Sequence, residues 1–341
     1  MAQINKSSDY FNTKLYTGTG ASQSITGVGF QPDWVWIKDR DNVRNHQIYD
    51  VIRGAGYVIY SNLTSAEGDD INRLSSFDSD GFSLGSSADV NDSSQNFASW
   101  NWLASNTTAS NTDGSITSTV SANTTSGFSI VSYTGTGANA TVGHGIDTPK
   151  MIIVKGRNKA GGSPWWVYHS ALGNTKGLTL NSTDASSTTS VLWNNTSPTS
   201  SVFSLGTGDE LNGSGIDFIA YCFAEKKGFS KFGSYTGNGN ADGTFVYTGF
   251  KPAFLMMKPS SASGNWFIFD NKREGYNVAN DYLTPNLDTA EVTNIRLDLL
   301  SNGYKLRTSN TGWNGSGTTY IYMAFAESPL VGTNNIPSVA R

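Results

Sequence analysis

The sequence predicts an all-β protein made of three antiparallel β-sandwiches in tandem. Three observations carry that reading: a composition of small polar and aromatic residues, apolar patterning with period two, and a set of markers that recurs three times in one order. Gly, Ser, Thr and Asn supply 148 of the 341 residues, while charged residues make up 15% and aromatic residues 12%, with nine Trp. A disordered chain lacks such aromatics and carries more charge. A helical bundle is rich in Ala, Leu, Glu and Lys. Small polar residues at turns, with β-branched and aromatic residues between them, belong to sheets.

The markers define the elements. Each repeat opens on a Tyr-Thr-Gly segment: Tyr16-Thr17-Gly18-Thr19-Gly20, Tyr133-Thr134-Gly135-Thr136-Gly137 and Tyr235-Thr236-Gly237-Asn238-Gly239. A proline then leads into a hydrophobic strand ending in lysine, at Pro32 to Lys38, Pro149 to Lys155 and Pro252 to Lys258. An aromatic strand follows, at Gln47 to Asp50, Trp166 to His169 and Trp266 to Asp270. A small-residue turn feeds a short strand at Ser79 to Leu84, Ser200 to Leu205 and Ser301 to Leu306. Each repeat closes on an aromatic strand, at Phe97 to Trp102, Phe218 to Phe223 and Tyr320 to Phe325. Strands such as Trp34-Val35-Trp36-Ile37 are apolar on both faces, so both faces must be covered, by another domain or by a neighbouring subunit. Asp80-Gly81, Asn302-Gly303, Asp242-Gly243 and Asp113-Gly114 supply hairpin turns. Short strands at this density read as jelly-roll or concanavalin-like sandwiches.

The predicted organisation is an N-terminal arm over 1–11, repeats over 12–105, 106–228 and 229–328, and a C-terminal tail over 329–341. The stretch from Ala104 to Thr125 has linker composition, with Ser115 to Val120 alternating like a strand that pairs with the second repeat. The short join Lys226 to Lys231 predicts packed domains rather than beads on a flexible string. The tail, with two prolines and no periodic core, is expected to be extended.

Charge and motifs narrow the chemistry. Lys and Arg number 23 against 27 Asp and Glu, a net charge of −4 with no basic stripe, which argues against nucleic-acid binding. No apolar run is long enough to span a bilayer, so membrane insertion is not expected. No apolar secretory leader is visible at the start. The single cysteine, Cys222, allows no intrachain disulfide. His46, His144 and His169 are scattered and no nucleophile elbow occurs, so no catalytic residue is assigned. Glu67, Asp69, Asp70, Asp78 and Asp80 form an acidic loop that could hold Ca²⁺ or act on a sugar, but it has no counterpart in the other repeats, and a solvated loop is the preferred reading. No metal and no cofactor is assigned. Trp34, Trp36, Trp100, Trp102 and Trp266 lie on strands and are read as core. Trp165, Trp193 and Trp313 lie in or beside Gly- and Asn-rich loops and are the candidate contacts for a glycan or partner protein; a lid folded back on the sandwich is the alternative. The Tyr-Thr-Gly segments precede strands rather than helices, which removes a phosphate-loop reading.

Several of these segments resemble a repeated β-sandwich domain of tailed, mainly marine, bacteriophage virion proteins. The resemblance is carried by Gly127 to Gly137, Val142 to Gly145, Pro149 to Lys155, Trp166 to Ser170, Gly228 to Tyr235 and Leu299 to Arg307, and extends over Leu15 to Arg341. It implies a non-enzymatic structural protein of the virion surface: a tail fibre or tip, a capsid appendage or a decoration subunit, made in the host cytoplasm. It implies adhesion to a host surface or glycan and assembly with other virion proteins, with the N-terminal or C-terminal segment as a seating arm. A homo-oligomer, a trimer by preference, is expected. The low charge suits salt water, where surface ion pairs are screened. The alternatives are a secreted bacterial lectin or carbohydrate-binding module, and a polysaccharide depolymerase working through loop carboxylates such as Asp70.

Overall fold

The computed structural model describes residues 4–329. The chain is all-β, and every ladder between its described strands is antiparallel. Three large sheets share one strand order. In the first, Phe11–Thr17 lies beside Asn96–Trp102, which lies beside Trp34–Asp39 and then Gln47–Asp50. In the second the same places are taken by Phe128–Thr134, Asp217–Ala224, Pro149–Gly156 and Trp166–His169. In the third they are taken by Ser230–Thr236, Thr319–Pro329, Phe250–Pro259 and Phe267–Asp270. We call the segments that build these sheets units 1, 2 and 3. Each carries a smaller outer sheet around Gly81–Leu84, Val202–Leu205 or Gly303–Leu306.

The two faces of each large sheet are covered by different partners. One face closes on the unit's own small sheet, forming three separate cores around Val35 and Phe82, Val154 and Phe203, and Leu255 and Tyr304. The other face of all three sheets enters a single central core that contains Trp34, Trp102, Phe128, Tyr221, Phe254 and Phe325. Rings from different units meet there: Trp34 and Tyr221 at 4.6 Å, Trp102 and Phe254 at 5.4 Å, Phe11 and Phe325 at 5.3 Å, Phe223 and Phe325 at 6.0 Å. The cover demanded by two-faced strands therefore comes from the other two units of the same chain.

The units close into a ring. Tyr221 Oη of unit 2 donates to Asp50 of unit 1 at 2.8 Å. His169 of unit 2 accepts the Ala171 amide on Nδ1, so Nε2 carries the proton and donates to the Tyr322 carbonyl of unit 3 at 3.1 Å. Trp100 Nε1 of unit 1 donates to Asp270 of unit 3 at 3.0 Å. One backbone bond recurs at each joint: Glu67 to Arg157, Ser186 to Ser260 and Glu291 to Arg40, at 2.8, 2.9 and 2.8 Å from nitrogen to oxygen.

The Tyr-Thr-Gly marker now has a physical reason. Each tyrosine hydroxyl donates to a carbonyl in a four-residue helix, Val90, Leu211 or Trp313, at 2.7 Å every time. A Cβ on the following glycine would sit 2.1 Å from the Asp92 oxygen at Gly18, and 2.4 and 2.3 Å from the equivalent carbonyl oxygens at Gly135 and Gly237. Only glycine permits that approach.

Several expectations are revised. The arm is not free, because Ile4 is buried in the central core, Ser7–Asp9 forms a 3-10 turn and Phe11 starts a strand. The stretch of linker composition holds two strands, Ala109–Asn111 and Ser118–Asn123, of which the second pairs with the second sheet, as the alternation of Ser115 to Val120 predicts, and the first extends that sheet further. Asp242-Gly243 carries no hairpin; it links Ser230–Thr236 of the large sheet to Phe245–Tyr247 of the small one. The tail residues 330–341 lie outside the described residues.

Candidate functional site

The four-residue helices α1 (Ala88–Asn91), α2 (Asp209–Asn212) and α3 (Thr311–Asn314) occupy the same place in each unit. Each ends in a buried asparagine whose Nδ2 donates to two loop carbonyls: Ala21 and Gly85 for Asn91, Ala138 and Gly206 for Asn212, Asn240 and Thr308 for Asn314. Facing each helix is the loop that follows the central lysine-ended strand. That loop is pinned from below in every unit by the buried lysine, Lys38, Lys155 or Lys258, whose ammonium donates to loop carbonyls. Burial lowers these ammonium groups to about 8, about 7 and about 8.

From above, units 1 and 2 fasten loop to helix with charge. Arg44 pairs with Asp89 of α1 at 3.4 Å and with Asp92 just beyond it at 2.7 Å. Lys159 pairs with Glu210 of α2 at 2.8 Å, and the Ser163 hydroxyl donates to the same carboxylate at 3.3 Å. In unit 3 the residue matching Asp89 and Glu210, two before the hub asparagine, is Gly312, and the residue matching Lys159, four after the buried lysine, is Ala262. No latch can form there, and a cleft of about 430 Å³ opens between loop and helix.

The walls of this cleft are uncharged. Ser263, Gly264 and Asn265 line one side, Asn310, Thr311 and Gly312 the other, and Thr284 and Thr289 one end. Phe267, Tyr282 and Trp313 form an aromatic floor, with Phe267 and Trp313 at 4.1 Å and Tyr282 and Trp313 at 5.3 Å. The Arg296 guanidinium lies 4.2 Å from the Trp313 ring centroid and 5.5 Å from that of Tyr282, a cation–π stack that fixes the floor. Neutral hydroxyl and amide groups around apolar ring edges are chemically suited to a compact polyhydroxylated ligand.

The three candidate tryptophans have different fates. Trp165 is 0% exposed, and its Nε1 donates to the Tyr60 carbonyl of unit 1 at 2.8 Å, so it is a joint residue. Trp193 is 1% exposed and packs edge-on against Tyr168 at 5.7 Å inside the core of unit 2. Trp313 is 5% exposed; it stands where Val90 and Leu211 stand in the other units, and it alone of the three lines the cleft. All three are withdrawn from the surface, and free ring faces for stacking are not presented by Trp165 or Trp193. Trp34, Trp36, Trp100, Trp102 and Trp266 are buried, as read.

The remaining candidates are structural in place. His46 accepts the Trp36 indole proton at 3.0 Å. Burial lowers His144 and His169 to about 4 and His46 well below its ordinary value, which keeps all three neutral. In the acidic loop, Glu67 bridges Arg53 and Arg157, Asp70 pairs with Arg73, Asp78 accepts from the Ser76 and Ser83 hydroxyls, and Asp80 accepts the Gly27 and Gly29 amides. Among the described residues no cluster of three or more His, Cys, Asp or Glu is placed to hold a metal ion.

Sequence reasoning missed Phe267, Tyr282, Asn265 and Asn310. The signal was present as a charge pair kept in one repeat and lost in another: Lys159 and Glu210 against Ala262 and Gly312. The chain matches, over residues 6–329, a family model described as a domain of unknown function, DUF7483. No curated protein and no solved structure matches it.

Proposed function

The chain belongs to the DUF7483 family, and we propose that it is a non-enzymatic bacteriophage virion protein that adheres to a host-surface glycan. The observation that carries adhesion is the cleft of unit 3, open and uncharged where the equivalent places in units 1 and 2 are latched by ion pairs. The rest of the body is built for persistence. Its sheets bury one another, and buried Tyr221, His169 and Trp100 hydrogen-bond across the joints, which suits a particle component that is displayed rather than turned over. Display on the virion rests on the sequence resemblance. Assembly with copies of itself, in threes, or with other virion proteins then uses outer surfaces, since the apolar sheet faces are already covered within one chain.

Mass spectrometry of purified virions of the phage that encodes the chain tests the display, with stoichiometric presence expected. Light scattering of the recombinant chain reads its assembly. Absence from virions, together with saturable binding of the recombinant chain to polysaccharide, favours the secreted lectin instead.

A further inference from the structure

We infer that the unit 3 cleft selects an uncharged sugar residue and rejects uronic and sialic acids; this deepens the adhesion reading and rests on it. The donor set is specific. Asn265 spends its Oδ1 on Asn286 Nδ2 at 2.8 Å, and Asn310 spends its Oδ1 on the Gly312 amide at 2.8 Å. Both therefore offer the cleft amide N–H donors, suited to sugar hydroxyl oxygens. The Thr284 and Thr289 hydroxyls share one hydrogen bond at 2.9 Å, so between them they keep both a proton and lone pairs to give. A sugar hydroxyl is donor and acceptor at once, and this mixture satisfies it.

A carboxylated sugar finds no partner in the cleft. Among the described residues no lysine, arginine or histidine lines it. Arg296 stacks on Trp313 and gives Nη1 to the Ile295 carbonyl, and Lys258 gives its ammonium to the Gly264 carbonyl at 2.6 Å. An anion entering the cleft would lose hydration without a cation on the lining to receive it, the Arg296 guanidinium being held on the Trp313 ring rather than in the wall, which disfavours it. The net charge of −4 works in the same direction.

The test uses the full chain with methyl glycosides of glucose, galactose, mannose and N-acetylglucosamine against glucuronic acid and N-acetylneuraminic acid, read by saturation-transfer NMR and titration. Binding of at least one neutral glycoside, with no binding of the two acids, is expected. The double variant Ala262→Lys with Gly312→Glu rebuilds the latch of unit 2; a Cβ on Gly312 meets nothing closer than 3.2 Å. It is expected to abolish binding with the unfolding midpoint kept. Thr289→Val removes one rim hydroxyl without entering a core and is expected to weaken binding by about tenfold. It keeps the test decisive if the latched variant does not fold. Tighter binding of the acids overturns the selectivity and leaves adhesion standing. Neutral binding unchanged in Thr289→Val or in the folded latched variant moves the site elsewhere and overturns the inference. Binding of no saccharide overturns both readings.

Discussion

The joint between units 2 and 3 and the two joints beside it share a backbone and differ in chemistry. At the 1–2 joint, Asp50 holds Arg53, Arg53 reaches Glu67, and Glu67 reaches Arg157 of the next unit at 2.9 Å. The 3–1 joint repeats this chain as Asp270, Arg273, Glu291 and Arg40, ending at 2.6 Å. At the 2–3 joint the same places hold His169, Ser186 and Ser260, and no charge crosses at that position, though Ser186 still donates its amide to Ser260 at 2.9 Å. The ring closes equally in all three places. Backbone complementarity and the shared aromatic core therefore set the geometry, while the ion chains decorate two of its three seams. Ser263 and Gly264, at the mouth of the cleft, reach Thr183 across the 2–3 joint. The unit that lost its latch thus borders the one joint without the Asp–Arg–Glu–Arg chain, where the nearby ion pair is Lys231 with Glu225 at 2.8 Å.

The largest expected effect comes from breaking a charged joint at its buried end. Arg273→Ala leaves Asp270 ionised and fully buried, with the Trp100 indole and backbone amides as its remaining donors. The cost is expected to be about 3–5 kcal/mol in urea unfolding. Arg53→Ala is expected to match it, Asp50 being equally buried. A loss below about 1 kcal/mol in both would mean that the ion chains are ornamental and that only the core holds the seams.

A second prediction separates the joints by pH. Burial lowers His169 to about 4 from an ordinary value of 6.5, with its bond to the Tyr322 carbonyl opposing. The unfolded chain then binds the extra proton between about 6.5 and 4, so stability is lost as pH falls through that window. Burial raises the Asp270 carboxyl, but the Arg273 charge and its hydrogen bonds outweigh this and hold it below its ordinary range, so the 3–1 joint keeps its charge at that pH. Asp33 works the other way. Burial raises it to about 6, and it therefore favours folding as pH falls from 6 to 3.8. Comparing wild type with His169→Gln at pH 7 and 4.5 cancels that contribution, and the variant should show the shallower loss. Hydrogen exchange at pH 4.5 should release the Ser186 and Gly264 amides before that of Glu67, the 1–2 joint being the reference since buried His46 facing Thr284 adds an acid-sensitive imidazole to the 3–1 joint as well. Simultaneous release would remove the distinction between the joints.

The strands of this molecule were legible because each marker carries a local cause. Tyr, Gly and the turn residues act within one unit, and alternation with period two reports burial directly. What covers the second face was not legible. A strand apolar on both sides states that it is covered, not by which segment, and three similar units give no hint that they face one axis. Trp165 shows the limit well, since its loop composition suggested recognition while its indole serves the Tyr60 carbonyl of another unit. Trp313 was harder still. A four-residue helix has too little length for periodicity, and its position became clear only through the hub asparagines Asn91, Asn212 and Asn314. The cleft was written as an absence, the missing partners of Ala262 and Gly312, which no residue-by-residue motif search detects.

The smallest expected effect completes the comparison by adding charge rather than removing it. Ser186→Glu with Ser260→Arg places an acid and a base where Glu67 with Arg157, and Glu291 with Arg40, stand at the other joints. The new pair would lack the inner half of the chain, because His169 replaces the aspartate and no arginine waits behind the glutamate. An ion pair of this kind, between the part-exposed position 186 and the buried position 260, offsets its desolvation and side-chain entropy almost completely. The unfolding free energy is expected to change by less than about 1 kcal/mol, and to fall with added salt if it rises at all. A gain of about 2 kcal/mol or more would show that the outer Arg–Glu pair stabilises a seam by itself, and the uncharged joint would then be a weakness retained beside the cleft rather than an equal solution to closing the ring.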